Sequence, residues 1–312
     1  YKNLGSLPDK SIVPIALGES KSGTLNHLTD QTEFTFTLAQ EQGIKILFTP
    51  SGDIAKYHLV LLDSNQIVVD QVDCINQRPV ALEAVYGTGR YTLRVTPAGA
   101  VDALSSFTVQ LMATNSQLER EPNDQYNQAT PWNVANPITG RLAGNTDKDF
   151  FTFLLESPRY LELSFTSPGS DKNFYLTLYK DSDQNEIDGV TVTNGQNTSL
   201  HMGLGMGRYY LKVRVNGTDV DSTHPYTLTL KDSTQTNLEI ESNNTIKVAN
   251  AIEKGAPKKG RIYSSTDKDY FGFHLPTEGL VTIRFAPSST LESYTISLVN
   301  ENDTLLETAT SN

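Results

Sequence analysis

One cysteine, Cys74, in 312 residues rules out an internal disulfide and any thiolate-held metal cluster. The flanking Asp70 and Asp73 are expected to raise the thiol pKa and keep it unreactive. No apolar run approaches the roughly 20 residues a membrane-spanning helix needs, so no membrane insertion is expected. Tyr1-Lys2-Asn3-Leu4 has neither the charged nor the apolar region of a signal peptide, so any export signal is expected to be already gone. Positive charge is scarce. The 25 Lys and Arg against 36 Asp and Glu leave a net charge of −11, which works against nucleic acid and anionic lipid as partners. The densest basic stretch, Lys254 to Arg261, reads as a solvated loop.

Catalytic signatures are missing too. There is no Gly-x-Ser-x-Gly elbow, no His-Glu-x-x-His helix and no phosphate-binding Gly-Lys-(Ser/Thr) loop. His27, His58, His201, His224 and His274 have no ligand spacing, and among many loop carboxylates no pair, Asp219 and Asp221 included, stands out for glycosidase chemistry. The chain reads as non-enzymatic.

What is present is a polar, acidic composition with Leu, Val, Ile and Phe in short alternating runs, the pattern of an all-β protein. Self-comparison is the strongest signal. Glu119-x-Glu121-x-Asn123-Asp124, Ala129, Gly140-Arg141 and Asp147-Lys-Asp149-Phe-Phe return 120 positions later as Glu239-x-Glu241-x-Asn243-Asn244, Ala249, Gly260-Arg261 and Asp267-Lys-Asp269-Tyr-Phe. A fainter copy upstream aligns Gly23-Thr-Leu with Gly140-Arg-Leu, and Gly89-Arg-Tyr91-Thr-Leu93 with Gly207-Arg-Tyr209-Tyr-Leu211. Three modules are expected, at 1–116, 117–234 and 235–312, with polar joints around 114–117 and 232–236.

Period-two alternation in the middle module sets Phe151, Phe153 and Leu155 on one face. Phe174, Leu176 and Leu178 follow the same rule, as do Leu211, Val213 and Val215, and Tyr226, Leu228 and Leu230. Tyr160 is grouped with Leu163 and Phe165. About eight strands with Gly, Asn and Asp turns make tandem antiparallel, jelly-roll-like β-sandwich modules. Most aromatic residues fall at core positions, and Tyr160, Tyr175, Tyr179 and Tyr210 are the candidate surface exceptions.

The Glu-x-Glu-x-Asn-(Asp/Asn) segment, the Gly before the first core strand, the Asp-x-Asp-(Phe/Tyr)-Phe run and the late Gly-x-Tyr strand together resemble the bacterial pre-peptidase C-terminal domain family. Its relatives include the collagen-binding modules of clostridial collagenases. The resemblance implies a non-catalytic β-sandwich attached to exported proteins, with calcium held by the acidic linker and an Asp-containing loop so that the ion stiffens the linker. Carried onto this chain, it implies Glu119, Glu121, Asn123, Asp124, Asp147 and Asp149 as one ligand set and Glu239, Glu241, Asn243, Asn244, Asp267 and Asp269 as another. Only Asp30 matches in the first module, where Thr32 replaces the second Asp, so no calcium is expected there. Calcium takes six to eight oxygen ligands, and carboxylates crowded without an ion repel one another. The alternative is that Asp147 and Asp267 cap turns while Glu119 and Glu239 are solvated. Asp181-Ser-Asp183-Gln-Asn185 starts like an EF-hand loop, but Glu186 stands where its Gly belongs, so it reads as a hairpin turn.

These features point to a secreted or cell-surface bacterial array that attaches to an extracellular protein or polysaccharide. The third module lacks the last strands of its siblings, so either the chain continues past Asn312 or copies of the chain complete one another. The second option makes the chain a filament or surface-layer subunit, with the alternating Ser11–Leu17 segment as the donated strand.

Overall fold

The computed structural model describes residues 10–51, 56–98, 106–115, 117–169, 172–180, 185–216, 223–287 and 293–311. The Asp181 hairpin turn and the Asp219/Asp221 pair lie mainly or wholly outside them. Among the described residues no helix is long and apolar enough to cross a membrane.

Among the described residues the regular elements are strands and two short 3₁₀ turns. The first stretch supplies β1 (Lys10–Pro14), β2 (Ser20–Thr24), β3 (Gln31–Leu38), β4 (Gln42–Pro50), β5 (Lys56–Leu62), β6 (Val68–Ile75), β7 (Val80–Tyr86), β8 (Gly89–Pro97), β9 (Ser106–Ala113) and β10 (Arg120–Glu121). They form two five-stranded sheets, ordered β1-β3-β8-β5-β6 and β10-β7-β4-β9-β2. Alternate residues of both sheets, among them Phe34, Ile46, Phe48, Tyr57, Leu93 and Phe107, meet in one core. Cys74 is buried in it, and burial first, then Asp73, push its thiol up to about 11.

The second sandwich has the same strand order. Its strands are β11 (Thr130–Pro131), β12 (Ile138–Gly140), β13 (Asp149–Leu155), β14 (Arg159–Thr166), β15 (Asn173–Lys180), β16 (Asn185–Val192), β17 (Thr198–Leu204), β18 (Gly207–Asn216) and β19 (Tyr226–Asp232). Its sheets run β11-β13-β18-β15-β16 and β12-β19-β14-β17. Long strands pair antiparallel, whereas the short edge strands β1, β10 and β11 pair parallel to their neighbours. Further along, β20 (Asn250–Ala251) pairs with β21 (Phe271–Gly272) as β11 does with β13, and β22 (Tyr294–Val299) forms a hairpin with β23 (Leu305–Ser311). Apolar side chains in this stretch, including Leu280, Ile283 and Phe285, are exposed.

The face assignments hold for Phe151, Phe153, Leu155, Phe174, Leu176, Leu178, Leu211, Val213, Val215, Tyr226, Leu228 and Leu230, all buried in the second core. Tyr160 does not share a face with Leu163 and Phe165. It is an even position on β14, so its ring points outward, where its hydroxyl accepts a hydrogen bond from Lys258 Nζ. Tyr179, expected as a surface exception, is buried, because Tyr126 and Lys212 cover it on the outer face of its sheet. The Ser11–Leu17 segment is used within this chain, with β1 paired to β3 and Ile15 in the first core.

The sandwiches are joined by backbone. The Glu119 N–H donates to the Thr139 carbonyl of the second sandwich, while its own carbonyl accepts from Val85 N–H of the first. At the next joint, Glu239 N–H donates to Lys259 O, and Glu241 N–H donates to Gly203 O on β17. Each acidic segment therefore covers the otherwise open edge of β7 or β17. A side-chain clasp repeats alongside. Arg141 pairs with Asp70 on β6 and donates to the Gln71 carbonyl, and Arg261 pairs with Asp188 on β16. The first pair is buried and Asp70 also accepts from Tyr86 Oη at 2.7 Å, whereas the Arg261 side chain is 46% exposed.

This difference sets a prediction. Removing one partner of a fully buried pair strands the other charge, at a cost of about 3 kcal/mol, whereas in the second pair only Asp188 is buried and the partly exposed Arg261 is screened by solvent, so its loss costs less. Arg141→Met is expected to lower the urea midpoint reported by Trp132 fluorescence by more than Arg261→Met does. Equal shifts would contradict this reading of the joints.

Candidate metal centres

The stitching strand carries the acidic residues. Alternation along Glu119-Arg120-Glu121 sends both glutamates inward, and Asp149 at the start of β13 meets them from the second sandwich. Oxygens of Glu119, Glu121 and Asp149 lie within 4.8 Å of one another, as do those of Glu239, Glu241 and Asp269. Asn123 and Asn243 are fully buried beside them.

The backbone hydrogen bonds to the two groups correspond, although the Asn243 amide donates to Glu239 Oε2 where the Asn123 amide donates to Thr130. Glu119 Oε1 accepts Arg141 N–H at 2.7 Å, and Glu239 Oε1 accepts Arg261 N–H. Glu121 Oε2 accepts Asn123 N–H at 3.2 Å, and Glu241 Oε2 accepts Asn243 N–H at 3.1 Å. Asn123 spends its amide donor on Thr130 Oγ1, which fixes the orientation of its carbonyl. What remains is a set of buried oxygens with no protein partner: Glu119 Oε2, Asn123 Oδ1 and Asp149 Oδ1 in the first group, Glu241 Oε1, Asn243 Oδ1 and Asp269 Oδ1 in the second. Buried acceptors are normally satisfied, and acceptors alone cannot satisfy one another. A cation fits them. Each group of oxygens can hold a metal ion, and the donor set is oxygen only, with neither His nor Cys.

Glycine makes room for this arrangement. A Cβ on Gly140 would sit 2.7 Å from Glu119 Oε2 and also strike the Tyr226 hydroxyl. One on Gly260 would sit 2.7 Å from Asp269 Oδ2 and 3.0 Å from Glu239 Oε2. Tyr226 completes the first site by donating to Asp149 Oδ2. In the first sandwich, Thr32 and Phe107 occupy the registers of Asp149 and Tyr226, so the acid and its hydroxyl partner are replaced together.

Not every expected ligand joins the cluster. Asp147 and Asp267 cap turns, accepting Ala143 N–H and Tyr263 N–H, as Asp30 does from Asn26 and His27. Asp147 still lies close enough to Asp149 and Glu121 for their charges to act on each other. Asp124 and Asn244 are exposed and hold the backbone N–H groups of Lys148 and Lys268. The turn-capping alternative thus describes Asp147 and Asp267, while Glu119 and Glu239 are buried, not solvated. The supports Thr130 and Tyr226 and the Arg141–Asp70 clasp have no counterpart in the sequence expectations. Asp70 and Asp188 recur near the 120-residue spacing, a signal that self-comparison offered.

Electrostatics follow from burial. Desolvation, then neighbouring carboxylates, hold Glu119, Glu121 and Asp147 well above the ordinary carboxylate range. Asp149 is pushed up to about 7 by burial, opposed first by the hydrogen bond from Tyr226. Burial lifts Glu239 to about 9 and Glu241 to about 8.

No family model matches the chain, and no curated protein matches it by sequence. Among solved structures, it is similar to the pre-peptidase C-terminal domain of a collagenase from Bacillus anthracis, at 16% identity over 34% of this chain and 96% of that one, with a TM-score of 0.28. It is also similar to PliG, a periplasmic inhibitor of g-type lysozyme from Aeromonas hydrophila, at 16% identity over 34% and 99% of the two chains, TM-score 0.25. The tandem CBM22 domain of Xyn10C from Paenibacillus barcinonensis matches at 11% identity over 62% and 79%, TM-score 0.21. At such scores nothing about this chain's activity follows from them.

A raised carboxylate pKa gives the metal-free folded state more bound protons than the unfolded chain. Stability from these groups is therefore complete at low pH and is lost as pH rises toward about 7 to 9. In chelator, the melting temperature is expected to fall between pH 5 and pH 9, and a saturating divalent cation to flatten that slope. A flat or rising profile in chelator would contradict the buried clusters.

Proposed function

We propose that the chain is a calcium-binding, non-catalytic array of β-sandwich modules, with units at 1–116, 117–234 and 235–312. It would belong to the secreted or cell-surface part of a bacterial protein and attach it to an extracellular protein or polysaccharide. One observation carries the reading: two groups of buried, unpartnered oxygens gather beside the two acidic segments whose backbone bonds stitch one stretch of the chain to the next.

Calcium suits these groups better than other common ions. It takes carboxylate and amide oxygens in adaptable geometry, whereas magnesium demands near-ideal octahedra and keeps several waters, and zinc or copper favour nitrogen and sulfur. A bound calcium supplies the positive charge that the crowded carboxylates lack. Glu119, Glu121, Asn123 and Asp149 would hold one ion, with Asp147 contributing charge, and Glu239, Glu241, Asn243 and Asp269 the other, beside Asp267. Because Glu119 also receives the Arg141 backbone N–H while the Arg141 guanidinium grips Asp70, fixing Glu119 fixes the angle between units. A structural role is favoured over catalysis because Glu119, Glu121 and Asp149 are at most 5% exposed, leaving no face for a substrate. The resemblance of the acidic segment to the pre-peptidase C-terminal family agrees with this assignment.

Calorimetry tests it. Calcium is expected to bind at about two sites with release of protons, since the ligands must ionise. Asp149→Asn and Asp269→Asn should each remove one site, and the double variant both. At calcium a hundredfold above Kd, a folded-state ligand stabilises by about 2.7 kcal/mol, and the double variant should lose that gain. Absence of heat at millimolar calcium would overturn the proposal.

A further inference from the structure

In a chain of net charge −11, one cleft gathers positive charge. It lies on the outer face of the β13-β18-β15 sheet and has a volume of about 740 Å³, within the ordinary range of roughly 300–1,000 Å³ for small-molecule sites. One wall is the segment from Asp124 to Asn127. Lys148, Phe150, Lys212 and Arg214 complete the lining.

The cleft is built on a fixed floor. Tyr126 packs edge-on against Tyr179 and Tyr210 and lies 4.7 Å from the buried Phe150 ring, so the wall is pinned by aromatic contacts. Lys212 donates to the Tyr179 hydroxyl, which in turn donates to Glu186, and the Arg214 guanidinium stacks on Tyr175 at 4.2 Å. In the same sandwich Arg141, Arg159 and Lys231 are held by carboxylates, and among the described residues no such ion pair takes Lys148, Lys212 or Arg214. Burial first, with smaller contributions from the charges of Arg214 and Lys148, holds the Lys212 pKa below its ordinary value, against the opposing charge of Glu186.

We infer that this cleft binds a carboxylated sugar, a uronic-acid unit of an acidic polysaccharide. The three cations take the sugar carboxylate. The Asp124–Asn127 segment of the same cleft selects for hydroxyls: Asp124, Gln125 and Asn127 present a carboxylate and two amides, which accept from and donate to neighbouring hydroxyls of a pyranose ring. An acidic peptide has acceptor-only side chains that Asp124 repels. Tyr126 offers the aromatic contact that apolar sugar faces use. Asp124, turned out of the metal cluster, gains a role here. The inference names a ligand for the attachment role proposed above and rests on it, yet it uses different residues from the calcium sites.

Isothermal titration of the 312-residue protein with polygalacturonate decides it, in EDTA so that calcium cannot bridge the polymer and at 150 mM salt, on the order of physiological ionic strength, so that long-range attraction is screened. Binding is expected, weakened at least tenfold by Lys212→Gln with Arg214→Gln, and lost with neutral dextran. No binding, equal binding by the variant, or equal binding of dextran overturns the proposal. Polyglutamate binding as tightly as polygalacturonate also overturns it, in favour of an acidic peptide. Calcium titration of the same variant separates the readings: two retained sites show an intact fold and leave the metal assignment standing whatever the polymer does.

Discussion

Three carboxylates in a space closed to water are the constraint around which this chain is arranged. With oxygens within 4.8 Å, each ionised pair repels by about 3 kcal/mol at an effective dielectric constant of about 20. The protein offers little relief. Arg141 is the nearest cation, and its guanidinium is committed to Asp70. The charge must therefore be neutralised by protons, as the raised pKa values of Glu119, Glu121 and Asp149 express, or by a cation. That the same problem is built twice, with the same backbone donors and glycine and with orphan Asn and Asp oxygens at matching positions, marks it as a feature of the joint.

The location gives the constraint its consequence. Glu119 and Glu239 lie in segments whose backbone bonds reach the stretches of chain on either side, so whatever orders the carboxylates orders the joint. The edges of β7 and β17, where an open sheet is most exposed to unwanted pairing, are covered by the same segments. Edge protection, module spacing and cation binding thus share a few residues. The first joint is the tighter, because its Arg–Asp clasp is buried and reinforced by Tyr86, whereas Leu204 ends β17 where Tyr86 ends β7 and Arg261 stays half in solvent.

Much of this was legible in the sequence, for identifiable reasons. Period-two alternation located the core faces of β13, β15, β18 and β19, because their inward positions are consistently apolar, even though Phe150 and Tyr179 are also buried on the outer face. It misplaced Tyr160 because a tyrosine suits either face and parity was not enforced. The repeat brought Glu119, Glu121 and Asp149 into one hypothesis although Asp149 is distant in sequence. It also swept in Asp124 and Asn244, since adjacency in sequence cannot tell an inward side chain from one that turns out to a loop. The Arg141–Asp70 clasp and the convergence of Lys148, Lys212 and Arg214 on one cleft were not legible, because both depend on how separate strands are brought side by side.

The most direct test is a crystal grown with calcium and measured for anomalous scattering. The account predicts one peak in each cluster, about 2.3–2.6 Å from Glu119 Oε2, Asn123 Oδ1 and Asp149 Oδ1 in the first and from Glu241 Oε1, Asn243 Oδ1 and Asp269 Oδ1 in the second. Two clusters with no peak, their carboxylates paired to one another through shared protons at saturating calcium, would contradict it.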